Sequence, residues 1–315
     1  MKNPKTSTIE LADKRIWEID FLRGVLIIGM VFDHFMFFLG MFSSLYAEGS
    51  LPIWLLNVSA FANAYWLNEV KIVIRFFGVA LFFLLTGISS KFSKSNLKRS
   101  VICMAFGIAL ALGYMAFSLI SGQSMYVLFG IITCLGFSMF AYWAAKTIYT
   151  KIHKSDDNWK WWALGIGCIM ALTGLITNLC ISTDLKFGHI LLSMFGHFNP
   201  GYFDSSSEQL TFGKALLTII GFHKWGNDWM GILPFTGFTF LGGFIGEHCY
   251  SIRKSIFFRK SEEKNVEFNR KAIKSTWLIN WLGARTFIIY IIHPVIIVLL
   301  MLIVFSISAG SWPNL

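Results

Sequence analysis

Seven apolar stretches of about twenty residues, separated by short polar segments rich in Lys and Arg, set the pattern of this chain. They fall at roughly 21–42, 72–89, 100–120, 126–149, 161–181, 229–251 and 278–306. Each is long enough to cross a bilayer, where a backbone must satisfy its own polar groups, so each predicts a helix. The fold class expected is all-α, a polytopic transmembrane helix bundle of about seven spans. Two further apolar stretches, 50–66 and 186–223, are too short or too broken to be full spans and predict re-entrant or interfacial helices on the outer side. A full crossing by 186–198 would put the basic segment 252–277 on the side opposite the other cation-rich segments, which excludes it.

Charge then orients the bundle. Segments 1–20, 90–99, 150–160 and 252–277 carry most of the Lys and Arg, whereas the opposite loops have chiefly Lys71, Lys186, Lys214 and Lys224. By the positive-inside rule the N-terminus is cytoplasmic, and an odd number of spans leaves the C-terminus outside. Residues 1–20 are therefore a cytoplasmic segment, 21–308 the membrane domain and 309–315 an extracytoplasmic tail of a multi-pass plasma-membrane protein. Tryptophans agree: Trp17, Trp159, Trp161, Trp162, Trp277 and Trp281 cluster at inner edges, and Trp54, Trp66, Trp225, Trp229 and Trp312 at outer ones.

Composition narrows the function classes. The 315 residues are 55% hydrophobic and 14% charged, with mean hydropathy +0.61, too apolar for a soluble domain. A net charge of +10 reports orientation rather than nucleic-acid binding. Cys103, Cys134, Cys168, Cys180 and Cys249 are scattered through apolar segments, with no CxxC pair and no His at ligand spacing, so neither disulfides nor a metal site is expected. The first apolar run lacks a small-residue cleavage site and reads as a retained span.

Ionisable residues inside apolar spans are costly, so Asp20, Arg23, Asp33 and His34 in the first span mark candidate chemistry. Counting from Phe21 at roughly 1.5 Å per residue puts His34 about 20 Å into the membrane. Eleven residues turn a helix about 1100°, three turns and about 20°, so Arg23 and His34 share a face, with Asp20 near it and Asp33 about 100° away. The same count puts Arg75 and His293 at His34's level. His34, Asp33, Arg75 and His293 form the candidate catalytic set, with His34 as proton acceptor and Arg75 or His293 steadying an oxyanion. Plainer roles compete: interhelical hydrogen bonding for His34, snorkelling for Arg75, and capping of a kink at Pro294 for His293. At the inner end of the second span, Thr86, Gly87, Ser89, Lys91, Ser93, Asn96, Lys98 and Arg99 gather hydroxyls, an amide and cations before a helix start. They suit a nucleotide or coenzyme phosphate, or equally a lipid headgroup.

Several blocks resemble a known family. They are Arg15-Ile-Trp-Glu-Ile-Asp-Phe-Leu-Arg-Gly with His34 beyond it, Leu81-Phe-Phe-Leu-Leu-Thr-Gly-Ile-Ser-Ser followed by Ser93-Lys-Ser-Asn-Leu-Lys-Arg, Phe129-Gly-Ile-Ile-Thr-Cys-Leu-Gly, Asp228 to Pro234, and Ile288-Ile-Tyr-Ile-Ile-His-Pro. In order over nearly the whole chain, they are similar to bacterial proteins like the catalytic domain of heparan-α-glucosaminide N-acetyltransferase, and more loosely to the acyltransferase-3 enzymes. The resemblance implies His34 as catalytic histidine, Arg23 as its support and a coenzyme-binding residue, and Thr86 to Arg99 on the coenzyme A side. Ser89, Lys91, Ser93, Asn96, Lys98 and Arg99 would bind coenzyme, and Asp20, Thr86 and Gly87 would support the structure. Thr133 stands where the family often has His. The lysosomal enzyme carries an extra lumenal domain, and heparan as substrate is not carried over.

The resulting expectation is an acyltransferase moving an acyl group, acetyl foremost, from cytoplasmic acyl-CoA to a hydroxyl or amine of an extracytoplasmic glycan. The partners expected are the bilayer and that acceptor, with self-association left open, and no metal or nucleic acid. The rival is a transporter or flippase using the same polar residues, although no inverted repeat with paired Gly or Pro breaks is seen.

Overall fold

In the computed structural model, residues 16–121, 126–181, 210–223, 225–226, 229–250, 254–257 and 262–313 are described. They form helices α1 Trp17–Phe42, α2 Ile53–Trp66, α3 Glu69–Ser90, α4 Asn96–Ser121, α5 Ile131–His153, α6 Trp159–Ile181, α7 Phe212–Ile220, α8 Ile232–Cys249, α9 Glu262–Ser275, α10 Trp277–Ala284 and α11 Thr286–Ala309. The protein is all-α among these residues, as its hydropathy dictates. Among the described residues six helices are long and apolar enough to cross a membrane: Trp17–Leu45, Glu69–Ser90, Asn96–Ala116, Ile131–His153, Trp159–Leu179 and Thr286–Ala309. The sixth expected span corresponds to α8, which at 18 residues is shorter. Its Leu233 leaves helical geometry, with φ −94° and ψ 134°, because the ring of Pro234 disfavours the helical region for the residue before it.

The seventh expected span is not one helix. It breaks at Arg285 (φ −114°, ψ 17°) into α10 and α11. The Thr286 hydroxyl donates to the Gly283 carbonyl at 2.7 Å, a local bond that competes with the helical ladder. Pro294, expected to kink the span, lies within α11, which continues on both sides of it. The stretch 50–66 contains the 14-residue α2, and the end of 186–223 forms α7, whereas 182–209 lies outside the described residues.

The chain divides into two compact units, 1–71 with 252–315, and 72–251. In the first, α1 lies against α10 at two glycines. A Cβ on Gly24 would overlap the Ile279 carbonyl oxygen, and one on Gly283 would overlap that of Asp20, so only glycine allows the backbones to touch. Met36, Leu39 and Phe42 of α1, Leu55 and Ala62 of α2, and Ile297, Met301 and Phe305 of α11 form its core. The start of α1 is tied down: Trp17 donates its backbone N–H to Asn269 Oδ1 at 3.1 Å and its indole N–H to Thr276 Oγ1 at 2.9 Å, which satisfies an N-terminal orphan donor.

In the second unit Phe76, Phe83, Phe129, Met230 and Phe235 pack together. Nearby, Trp159 donates to the buried Tyr142 hydroxyl at 3.0 Å. Gly87 of α3 touches α8, and a Cβ there would overlap the Thr239 carbonyl oxygen.

Candidate active site

The first unit brings together two of the residues read from the sequence. His34 of α1 and His293 of α11, 259 positions apart, approach to 2.6 Å between His34 Nδ1 and His293 Nε2. The rings are 9° from parallel. Near-parallel planes sharing a 2.6 Å atom pair are too close for face-to-face stacking, so the rings meet edge to edge with the lone pair in plane, as a hydrogen bond requires.

The neighbours fix the tautomers. His293 Nδ1 lies 2.9 Å from the Ile289 carbonyl oxygen, which can only accept, so Nδ1 of His293 carries hydrogen. In the neutral pair, Nε2 of His293 is then an acceptor, and His34 Nδ1 must donate to it. The basic lone pair of His34 is thereby placed on Nε2. His293 is buried at 5% exposure, whereas His34 is half-buried. This gives His293 an orienting role like that of the carboxylate in a catalytic triad. With its one N–H on Ile289, neutral His293 would have no hydrogen for an oxyanion. The carbonyl its ring meets is that of Ile289, one residue before the carbonyl of Tyr290 that Pro294 leaves without its helical N–H donor.

Asp33 is one residue from His34 but turns elsewhere, as neighbours on a helix must. Its Oδ1 is 2.9 Å from Lys71 Nζ and accepts from the Tyr65 hydroxyl at 3.4 Å. Lys71 Nζ lies 3.4 Å from the centre of the Trp66 ring, a cation–π contact. Asp33 and Lys71 are 9% and 7% exposed, so this is a buried ion pair. Lys71 went unrecognised in the sequence, counted as an outer-loop cation. The signal available was Asp33 itself: a carboxylate in an apolar span demands a cation at its own level.

Arg23 does not reach His34. Its guanidinium lies 3.6 Å from Asp20, three helical turns from the imidazole. Arg75 lies on the part of α3 that belongs to the second unit, half-buried.

The residues expected to bind coenzyme fall at the end of α3 and the start of α4. Thr86, Ser89 and Ser90 are buried and donate to the carbonyls of Phe82, Leu85 and Thr86, so their hydrogens serve the helix. Asn96 donates to the Ser90 carbonyl at 2.9 Å and closes the turn. Lys91 pairs with Glu247, which also accepts from Lys146 at 2.6 Å. Glu247 and Lys146 extend this charged cluster and were not anticipated. Ser93, Lys98 and Arg99 lie at the surface of the same turn, Ser93 half-buried and the two cations exposed. Among the described residues no group of three His, Cys, Asp or Glu could hold a metal.

Apolar helices of spanning length, two of them joined by an imidazole pair, define a multi-pass membrane protein. The family model for heparan-alpha-glucosaminide N-acetyltransferase, catalytic, matches residues 15–56 and 51–295, which is most of the chain. The chain belongs to that family, so the activity its membership implies is acyl transfer. No curated protein and no solved structure matches it.

Proposed function

We propose that the protein is an integral membrane acyltransferase that moves an acetyl-sized acyl group from cytoplasmic acyl-CoA to a hydroxyl or amine on an extracytoplasmic glycan. The observation that carries this reading is the oriented imidazole: Ile289 O fixes His293, and His293 fixes His34 with its lone pair on Nε2. That nitrogen takes the acceptor's proton as the acceptor oxygen or nitrogen bonds to the thioester carbonyl carbon. The carbon–sulfur bond then breaks, and the proton passes to the departing thiolate, giving ester or amide and free coenzyme A. While His34 holds the extra proton, the bond to His293 spreads its charge over two rings. Within the second unit, the surface cations Lys98 and Arg99, with Lys91 beside them, are of the kind that hold phosphates.

The charge pattern supports a cytoplasmic N-terminus and an extracytoplasmic C-terminus in the plasma membrane. Cysteines placed at 264 or 271 should react with an impermeant label from the cytoplasmic side only.

The test of activity is radiolabelled acetyl-CoA incubated with the purified protein and an envelope glycan fraction. Transfer by the native protein, lost in His34→Ala, is expected. Unimpaired transfer by His34→Ala would refute His34 as base, and altered solute uptake with intact acylation would favour a transporter.

A further inference from the structure

Helix α11 has two sharply different faces. Thr286, His293, Ile297, Met301 and Phe305 are buried, whereas Ile288, Ile292, Val295, Leu299 and Ile303 are exposed at spacings of three and four. In a span of this composition the exposed apolar face is the one that meets lipid tails. Arg285, exposed, stands at the head of that face, three residues before Ile288 and seven before Ile292. The 24 residues of α11 at about 1.5 Å each cover about 36 Å, enough for a hydrocarbon core of about 30 Å, so Arg285 falls at the headgroup level.

The guanidinium is held there. Its carbon lies 4.4 Å from the centre of the Trp281 ring. Trp281 is 45% exposed, and Trp277, one turn earlier, is 63% exposed. Such aromatic rings favour the membrane interface. Among the described residues no carboxylate lies within ion-pair distance of Arg285. A planar cation laid against an indole, beside apolar side chains that face tails, matches an anion that is itself attached to tails. Its fork of donors fits two phosphate oxygens at once.

We propose that Arg285, seated on Trp281, binds the phosphate of a membrane phospholipid in the leaflet on the Trp277 side. A dissolved phosphate would reach the same fork but gain nothing from the apolar face below it, which is why the lipid is the occupant.

The test is native mass spectrometry of delipidated full-length protein titrated with limiting phosphatidylglycerol, or with diacylglycerol of the same chains, which lacks phosphate. The native protein should retain a phosphatidylglycerol adduct that Arg285→Gln loses by about tenfold, the size of one charge-assisted bond. Diacylglycerol retention should be low and equal in both, and Lys271→Gln, in a cation on exposed α9, should retain phosphatidylglycerol normally. Millimolar inorganic phosphate should not displace the lipid. Equal retention by Arg285→Gln, equal retention of diacylglycerol, or displacement by inorganic phosphate would each overturn the assignment. Helix content by circular dichroism checks folding. Should Arg285→Gln fail to fold, Trp281→Leu keeps the charge and removes the platform; it should weaken retention, and unchanged retention would refute the site.

Discussion

Replacing Lys71 with Met removes one partner of the buried ion pair while keeping most of the side chain's apolar length. Lys71 Nζ and Asp33 Oδ1 are 2.9 Å apart, with side chains 8% and 12% exposed, so the carboxylate left behind has little water to turn to. Breaking such a pair from one side costs about 3–5 kcal/mol. The Trp66 contact is lost with it. At about 2–4 °C per kcal/mol the apparent melting midpoint should fall by on the order of 10 °C. The measurement is fluorescence-monitored thermal unfolding in nanodiscs at one fixed scan rate, because unfolding of such a protein is not expected to reverse. Asp33→Leu should cost less, since the stranded ammonium keeps its indole, and the double substitution Lys71→Met with Asp33→Leu should recover most of the loss. A midpoint for Lys71→Met within about 1 °C of native, or a double variant no better than the worse single one, would show that the pair is not buried as described.

Three further outcomes follow from the geometry. His34→Ala and His293→Ala should each slow labelled acetyl transfer by about 10²–10⁴-fold, and the double variant should be no slower than the worse single one, because the two rings act as a unit. Gly283→Leu would drive a side chain into the Asp20 carbonyl, so the protein should lose its monodisperse peak in size-exclusion chromatography. Glu247→Gln leaves Lys91 and Lys146 facing each other without their shared carboxylate and should lower stability by roughly 1–3 kcal/mol; adding Lys146→Met should restore part of it in the same melting assay.

Hydropathy made the helices legible but not their ends. Helix α1 starts at Trp17 rather than 21, α3 at Glu69 rather than 72, and α4 at Asn96 rather than 100. Apolar runs mark hydrocarbon, whereas the backbone ladder continues into the headgroup layer. The break at Arg285 was not read because the apolar runs on either side of Arg285-Thr286 merge into one span; the Thr286 hydroxyl bonds the Gly283 carbonyl at that point. For the site, depth arithmetic placed His34 and His293 at one level, but only packing turns one ring toward the other. Charge counting hid Lys71 among loop cations, and the helical-face argument linked Arg23 to His34, whereas a face shared over three turns is not a contact and Arg23 lies beside Asp20.

The first unit is assembled from stretches that flank the second in sequence, and its histidine pair joins positions 259 apart. During synthesis, His34 therefore enters the bilayer long before the helix that supplies His293. Under the function proposed above, a truncated or stalled product that lacks the late helix carries one ring of the pair and should transfer no acyl group.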